Sequence, residues 1–228
     1  MSLISFIHVS KTYEKDWKAL ADVHFRLDRG EFVFLTGPSG AGKTTVLKLI
    51  YMDEKPDVGE VLISFNKDLA YRSTETSMSK IQLLRRRLGI VFQDFKLLPD
   101  RSVFENVAFA LRVAGYSNQR IKQRVYEVLA LTGISHKARN LPHQLSGGEQ
   151  QRVSIARAMA NEPYIVLADE PTGNLDPQTS REIVKIFQNI NAAGTAVLMA
   201  THDYGLINTL PYRRLMLNRG MLVNRDFI

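Results

Sequence analysis

The sequence predicts an α/β fold, and three observations carry that reading. An apolar run of β character, Phe32-Val33-Phe34-Leu35, leads into a glycine-rich loop and then into an apolar stretch, Val46-Leu47-Lys48-Leu49-Ile50, that reads as a helix. Short apolar runs ending at Asp169 and Ala200 repeat the strand pattern, with a helical periodicity between them. Between residues 95 and 160 no strand pattern is evident, so a helical portion interrupts the chain.

The first element to justify is the loop Gly37-Pro38-Ser39-Gly40-Ala41-Gly42-Lys43-Thr44, which matches G-x-x-x-x-G-K-[ST] in the strand–loop–helix context that pattern requires. Glycines at 37, 40 and 42 let backbone N–H groups turn inward on phosphate oxygens, and the helix N-terminus adds its partial positive charge. Lys43 would reach the β- and γ-phosphates of a nucleotide and the Thr44 hydroxyl would hold Mg²⁺. Thr45 completes the set of residues expected to contact ATP here.

Further along, Asn66 to Lys80 reads as a polar loop, and Arg85-Arg86-Arg87 reads either as a solvated helix face or as a contact for anionic lipid or an acidic partner. Ser102-Val103-Phe104-Glu105 and Ser146-Gly147-Gly148-Glu149 both have the spacing of a capping box, so each should start a helix. Ile121, Val125, Val128 and Leu129 share one helical face, as do Ile183, Ile186, Phe187 and Ile190. The second of these helices should open at Asp176-Pro177 and close at Gly194, before the strand Thr195 to Ala200. The segment Phe95 to Pro99 is mostly apolar and is read either as packing for the helical portion or as a groove for a partner's helix.

Two further motifs carry chemistry. The serine and glycines of Leu145-Ser146-Gly147-Gly148-Glu149-Gln150 stand at a predicted helix N-terminus, a second anion-binding end. The apolar run Ile165-Val166-Leu167-Ala168 ends in Asp169-Glu170. An aspartate at a strand's carboxyl end suits Mg²⁺, and the next carboxylate can orient or deprotonate an attacking water, which makes Glu170 the candidate base.

Composition sets bounds on the function. The 228 residues suffice for one large domain or a core with a subdomain. No apolar run approaches the roughly 20 residues that span a bilayer, and the start lacks the basic and apolar regions of a signal peptide, so an intracellular protein is expected. Zero cysteines exclude disulfides and thiolate metal sites. The net charge of +7 suits a nucleotide or an anionic surface; no aromatic-interleaved basic strand or recognition-helix pattern accompanies it, and no nucleic-acid partner is expected.

In these motifs and their order, and over nearly the whole chain, the sequence resembles the ATP-binding cassette family, whose signature Leu-Ser-Gly-Gly-Gln appears as Leu145 to Gln150 with a glutamate before the glutamine. The resemblance implies a single cassette domain over 1–228. Its expected parts are a RecA-like phosphate-loop core, an N-terminal β subdomain and a helical subdomain inserted at about 95–160. It also implies a head-to-tail homodimer on ATP binding, in which Ser146, Gly147, Gly148, Glu149 and Asp176 of one copy contact the ATP held by the other. His202 would touch the γ-phosphate and link it to Glu170, Gln93 would sense Mg²⁺ and the γ-phosphate, and Tyr13 would stack on adenine, with Trp17 as a competing candidate. Lys43, Glu170 and His202 form the expected catalytic set, and Thr44, Gln93 and Asp169 the metal set.

The run Ala168 to Asp176 is similar to the bacterial group containing FtsE, LolD and MacB, and Phe92 to Arg101 and Val197 to Asp203 look most like its FtsE members. That likeness implies an integral membrane partner, FtsX, control of cell division through periplasmic activators of peptidoglycan hydrolases, and a peripheral place on the cytoplasmic face of the bacterial inner membrane. The alternatives are an importer or a lipoprotein-release or export ATPase of LolD or MacB type, a soluble DNA-repair ATPase, which usually carries a long coiled coil not seen here, and a regulatory subunit that binds ATP without hydrolysis.

Overall fold

The structure, a computed structural model, describes residues 2–14, 17–66 and 69–223. Strands β1 (Ser2–Tyr13) and β2 (Trp17–Asp28) form a long hairpin, and β4 (Val58–Asn66) and β5 (Leu69–Arg72) extend it into a four-stranded antiparallel sheet ordered β2-β1-β4-β5. The second sheet uses β3 (Phe32–Thr36), β6 (Leu88–Val91), β7 (Ile165–Asp169), β8 (Ala196–Thr201), β9 (Arg213–Asn218) and β10 (Met221–Leu222). Its order is β10-β9-β3-β8-β7-β6, parallel throughout except for the β9–β10 pair.

The central strands are apolar in sequence because both of their faces are buried. Val33 and Leu35 of β3, Ile165 and Leu167 of β7, and Leu198 of β8 join one core with the antiparallel sheet and α1 (Lys43–Ile50). Their alternates Phe34, Val166, Val197 and Met199 join a second core with α3 (Val103–Val113), α4 (Asn118–Leu131), α5 (Gly147–Met159) and α6 (Pro177–Ala192). Side chains that alternate across a strand therefore hold two layers onto one sheet. The remaining helices, α2 (Met78–Arg85) and α7 (Tyr204–Ile207), are short.

Helix starts follow the sequence. Ser102 and Ser146 are N-caps with complete capping boxes to Glu105 and Glu149, and Asp176 caps α6, with Pro177 as its first residue. Among the described residues no strand lies between 92 and 164.

The expected polar loop at 66–80 is corrected by the structure, residues 67 and 68 lying outside the described ones. β5 pairs with β4 from Leu69 to Arg72, and α2 begins at Met78. Ser73, within that expected loop, is buried because it continues the ladder: its N–H donates to Val61 O (2.9 Å) and its hydroxyl oxygen accepts from Val61 N–H (3.0 Å). The strand is hidden in sequence because only Tyr71 of its four residues is buried, too few for a visible alternation. The three arginines at 85–87 also divide. Arg85 donates to the Tyr51 and Met52 carbonyls just past α1 (2.9 and 3.2 Å), where cations suit a helix end, while Arg87 lies 5.9 Å from the centre of the Tyr164 ring.

The connection from β6 to α3 is tied down by Asn106, a fully buried residue of α3. Its Oδ1 accepts from Leu98 N–H (2.7 Å), and its amide nitrogen donates to the carbonyls of Leu98, Arg101 and Ser102 at 2.9–3.1 Å. Asn106→Ala would strand several buried backbone groups at about 1–3 kcal/mol for each group left unsatisfied. A loss of about 2–3 kcal/mol is expected in thermal unfolding, lowering Tm by roughly 5–10 °C for a chain of this size. A change below about 1 kcal/mol would mean the loop finds other partners.

Candidate active site

The carboxyl ends of β3, β7 and β8 lie side by side, and the loops that follow them carry the predicted chemistry. After β3 the chain turns through residues 37–42 into α1. Gly42 is the N-cap in the left-handed region (φ 106°), and a Cβ there would stand 2.5 Å from Ala19 O; a Cβ at Gly37 would stand 2.2 Å from Leu217 O. Larger residues cannot hold this loop so close to β2 and β9. Pro38, Ser39, Gly40 and Thr44 are exposed, whereas Gly37, Ala41, Gly42, Lys43 and Thr45 are buried.

Lys43 leads a short chain of charges. Its ammonium donates to Gly37 O (2.8 Å) and Pro38 O (3.3 Å) and lies 3.2 Å from Glu170 Oε1. Glu170 comes from the end of β7 and is 9% exposed; His202, just past β8, sets Nδ1 at 2.9 Å from the same carboxylate oxygen and donates its backbone N–H to Oε2 (3.3 Å). Glu170 adopts a left-handed backbone (φ 46°), uncommon for a glutamate, and its N–H donates to Ala200 O. The carboxylate is therefore held from three sides, as a group that must aim at one point needs to be.

Asp169, the preceding residue, has Oδ1 buried with no hydrogen-bond partner among the described residues. Burial raises its pKa above the ordinary carboxylate value and the nearby Glu170 charge adds to that, while the Thr44 hydroxyl, Lys43 and Lys48 act in the opposite direction. Gln93, exposed past the end of β6, belongs to the same neighbourhood: a side chain at Gly173 would meet Glu170 and the Gln93 amide. Lys43, Thr44, Gln93, Asp169, Glu170 and His202 thus converge, as the sequence leads one to expect.

The signature residues gather elsewhere. The Ser146 hydroxyl accepts from Glu149 N–H (3.3 Å), and Glu149 Oε2 accepts from Ser146 N–H (2.9 Å). The second contact holds the Glu149 pKa below the usual carboxylate range, with Lys137 at 3.3 Å adding to it. Gly147 and Gly148 face Leu175 and Thr179, beside the cap formed by Asp176, whose Oδ1 accepts from the N–H groups of Gln178 and Thr179 (3.0 Å each). Contact with the Thr179 side chain and backbone lowers the Asp176 pKa. Among the described residues no hydrogen bond or ion pair joins this group to Lys43, Asp169 or Glu170.

Three comparisons bear on this geometry. A family model described as ABC transporter matches residues 20–173. The chain belongs to the ABC transporter family. It is an ATP-hydrolysing cassette of the ABC type, with the mixed α/β fold of such cassettes. The cassette is 52% identical over 224 residues to a protein of Bacillus subtilis named "Cell division ATP-binding protein FtsE", covering 98% of this chain and 96% of that one. Proteins of the same name from Mycobacterium tuberculosis and Escherichia coli K12 are 47% and 48% identical, with 96% or more of each chain covered. Among solved structures, a dimeric cassette in a post-hydrolysis state bound to ADP and Pi covers 98% of this chain and 100% of its own at a TM-score of 0.85 and 35% identity. A second dimeric bacterial ABC transporter cassette matches with the same TM-score at 36% identity.

Sequence reasoning did not single out Asn106 or Arg157, which shape the loop after Gln93, nor Asp57, whose Oδ2 accepts from Thr12 N–H (2.6 Å) beside Tyr13. Arg157 and Asp57 act through backbone groups distant in sequence, and Asn106 through the loop just before its own helix; no motif announces either. The two aromatics named for adenine sit opposite each other at the β1–β2 turn, stacked at 5.5 Å and 26°. Trp17 is the only tryptophan of the chain and is half exposed, so its emission should change on ATP binding. Tyr13→Ala is expected to raise Kd for ATP about tenfold, within the 1–3 kcal/mol of one base–aromatic stack. Isothermal titration of Tyr13→Ala and Trp17→Ala ranks them; a larger loss on Trp17→Ala would move the base to the tryptophan.

Proposed function

We propose that this chain is the ATPase subunit of an FtsE–FtsX cell-division complex, in which ATP-driven dimerisation acts on the membrane protein FtsX and, through it, on periplasmic activators of peptidoglycan hydrolases. The observation that carries the reading is the near full-length similarity, at 47–52% identity, to proteins named for cell division in separate bacteria. These relatives do not favour the LolD or MacB alternative. The proposed place is the cytoplasmic face of the inner membrane, held by the partner; among the described residues no helix is long and apolar enough to cross a membrane. We take residues 1–228 as one cassette domain with its helical subdomain at about 95–160, a division favoured by the run of helices α3, α4 and α5 with no strand among the described residues between β6 and β7.

The homodimer reading rests on the two half-sites and on the dimeric neighbours. Residues 37–45 cradle the phosphates, Lys43 adds positive charge to them, and Tyr13 receives the base. Glu170 orients the attacking water and takes its proton, and His202 and Lys43 keep the carboxylate aimed. Ser146, Gly147, Gly148, Glu149 and Asp176 come from the second copy, where the exposed N-terminus of α5 offers N–H groups and its dipole to an anion. A Mg²⁺ ion suits the residues present, because the carboxylate of Asp169, with one buried oxygen unpartnered among the described residues, meets the Thr44 hydroxyl, and both offer oxygen to a hard cation; Gln93 is the third proposed ligand. When bound it would neutralise phosphate charge.

Glu170→Gln should keep ATP affinity and lower turnover by about 10²–10⁴-fold, since the carboxylate acts on water and not in binding. Near-normal phosphate release by the variant would remove Glu170 from the role of base. The complex itself is tested by expressing the tagged chain in its own host, solubilising membranes in detergent and identifying what copurifies by mass spectrometry. An FtsX-type membrane protein is expected, and a partner of lipoprotein-release type would replace the reading.

A further inference from the structure

Strand β1 is flanked by β2 and β4, and its two ladders do not end together. Pairing with β2 runs out to Tyr13, opposite Trp17, whereas pairing with β4 stops at Ser10, opposite Val58. The last residues of β1, which carry the aromatic proposed to meet adenine, would therefore leave one edge of the strand open.

Asp57 closes that edge. Its backbone N–H donates to Ser10 O (2.9 Å), and its Oδ2 accepts from Thr12 N–H (2.6 Å), the next group of β1 on the same side. The carboxylate takes the place of a further strand carbonyl, one step beyond the first residue of β4. Lys11 adds to the contact: its Nζ lies 3.4 Å from Asp57 Oδ1, 3.3 Å from Glu54 Oε2 and 5.5 Å from the centre of the Tyr13 ring. The Thr12 N–H holds the Asp57 pKa below the ordinary carboxylate value, with Lys11 acting in the same direction. Burial opposes the Lys11 charge, but Glu54 and Asp57 outweigh it and raise the Lys11 pKa. Lys11 and Asp57 thus both stay charged at neutral pH. An exposed ion pair alone would contribute little; what sets Asp57 apart is that its side chain meets the backbone of the strand that ends in Tyr13.

The arrangement has little slack. Gly59 of β4 has φ 80°, and a Cβ there would stand 2.2 Å from His8 O, so the start of β4 lies tight on β1. Before Asp57 comes the turn that ends α1, in which the N–H groups of Asp53 and Glu54 reach back to Lys48 O (2.9 and 3.5 Å). α1 begins at Lys43, in the phosphate loop, and spans about 12 Å at helical rise. One continuous stretch from Lys43 to Asp57 therefore joins the phosphate cradle to the end of the strand that carries Tyr13.

We propose that Asp57 is a positioning residue for nucleotide binding: by standing in for a strand carbonyl at Thr12, it fixes the Tyr13 ring relative to the phosphate loop, so that one nucleotide meets both. The inference rests on the reading that Tyr13 stacks on adenine. Asp57 acts through the main chain and that ring, not on the nucleotide.

The test is a double-mutant cycle on the full chain, read as Kd for ATP by isothermal titration without Mg²⁺, so that no ATP is consumed. Asp57→Ala should raise Kd about three- to tenfold by itself, and by less than about twofold in a Tyr13→Ala background, where the ring it positions is gone. Inorganic tripolyphosphate, which has phosphates but no base, should compete equally well against the parent and Asp57→Ala. Asp57→Asn keeps an oxygen that can accept from Thr12 N–H and should stay within about twofold of the parent. Parental affinity in Asp57→Ala, the same loss with and without Tyr13, or an equal loss for tripolyphosphate would overturn this inference alone. A loss on Asp57→Asn as large as on Asp57→Ala would assign the effect to the ion pair with Lys11 and overturn the ladder contact as its cause. Parental affinity in Tyr13→Ala would overturn the stacking reading and this inference with it.

The unsubstituted chain decides the matter should Asp57→Ala fail to fold. Thr12 N–H should then exchange slowly with solvent deuterium by NMR, as a bonded group at a closed edge does. Exchange at the rate of an unprotected amide would overturn the inference.

Discussion

Burial of β3, β7 and β8 on both faces governs where this protein can place polar chemistry. Within such strands each side chain is committed to one of two apolar layers, and a charge there would be desolvated without compensation. The carboxyl ends are released from that constraint. The phosphate loop, the Asp169-Glu170 pair and His202 all lie just beyond strand ends, brought together because the parallel register sets Asp169 beside Ala200 and Leu35 beside the same residue.

Charge is then handled by mutual confinement. Lys43 is buried, yet two loop carbonyls and Glu170 satisfy its ammonium, and Glu170 is in turn held by His202. Asp169 differs: its inner oxygen has no partner among the described residues, and burial pushes its pKa up. A carboxylate kept in that condition is suited to a cation, whereas the satisfied one is suited to aim. Neighbours in sequence thus acquire different environments because successive residues at a strand end turn in different directions.

Helix α5 joins the signature residues to the rest of the molecule. Its N-terminus is an exposed capping box, its middle is tied to α6 by Arg152 and Glu182 (2.7 Å), and its C-terminal carbonyls at Met159 and Ala160 accept from Arg124 of α4. The helix consequently touches both the core and the helical portion.

Much of this was legible in the chain. The phosphate loop, the paired acids, the capping boxes at Ser102 and Ser146 and the cap at Asp176 are local patterns whose physics plays out within a few residues, so sequence alone determined them. Periodicity likewise marked the buried faces of α4 and α6, because burial repeats with the helical turn. Tertiary structure alone decided that Ser73 is buried in a ladder, that Arg85 closes the end of α1, and that Asn106 and Arg157 hold the loop after Gln93. In each case a side chain meets backbone groups at a distance set by how elements pack. The partners are peptide carbonyls and N–H groups, which every residue carries, so the sequence holds no mark of which one is chosen.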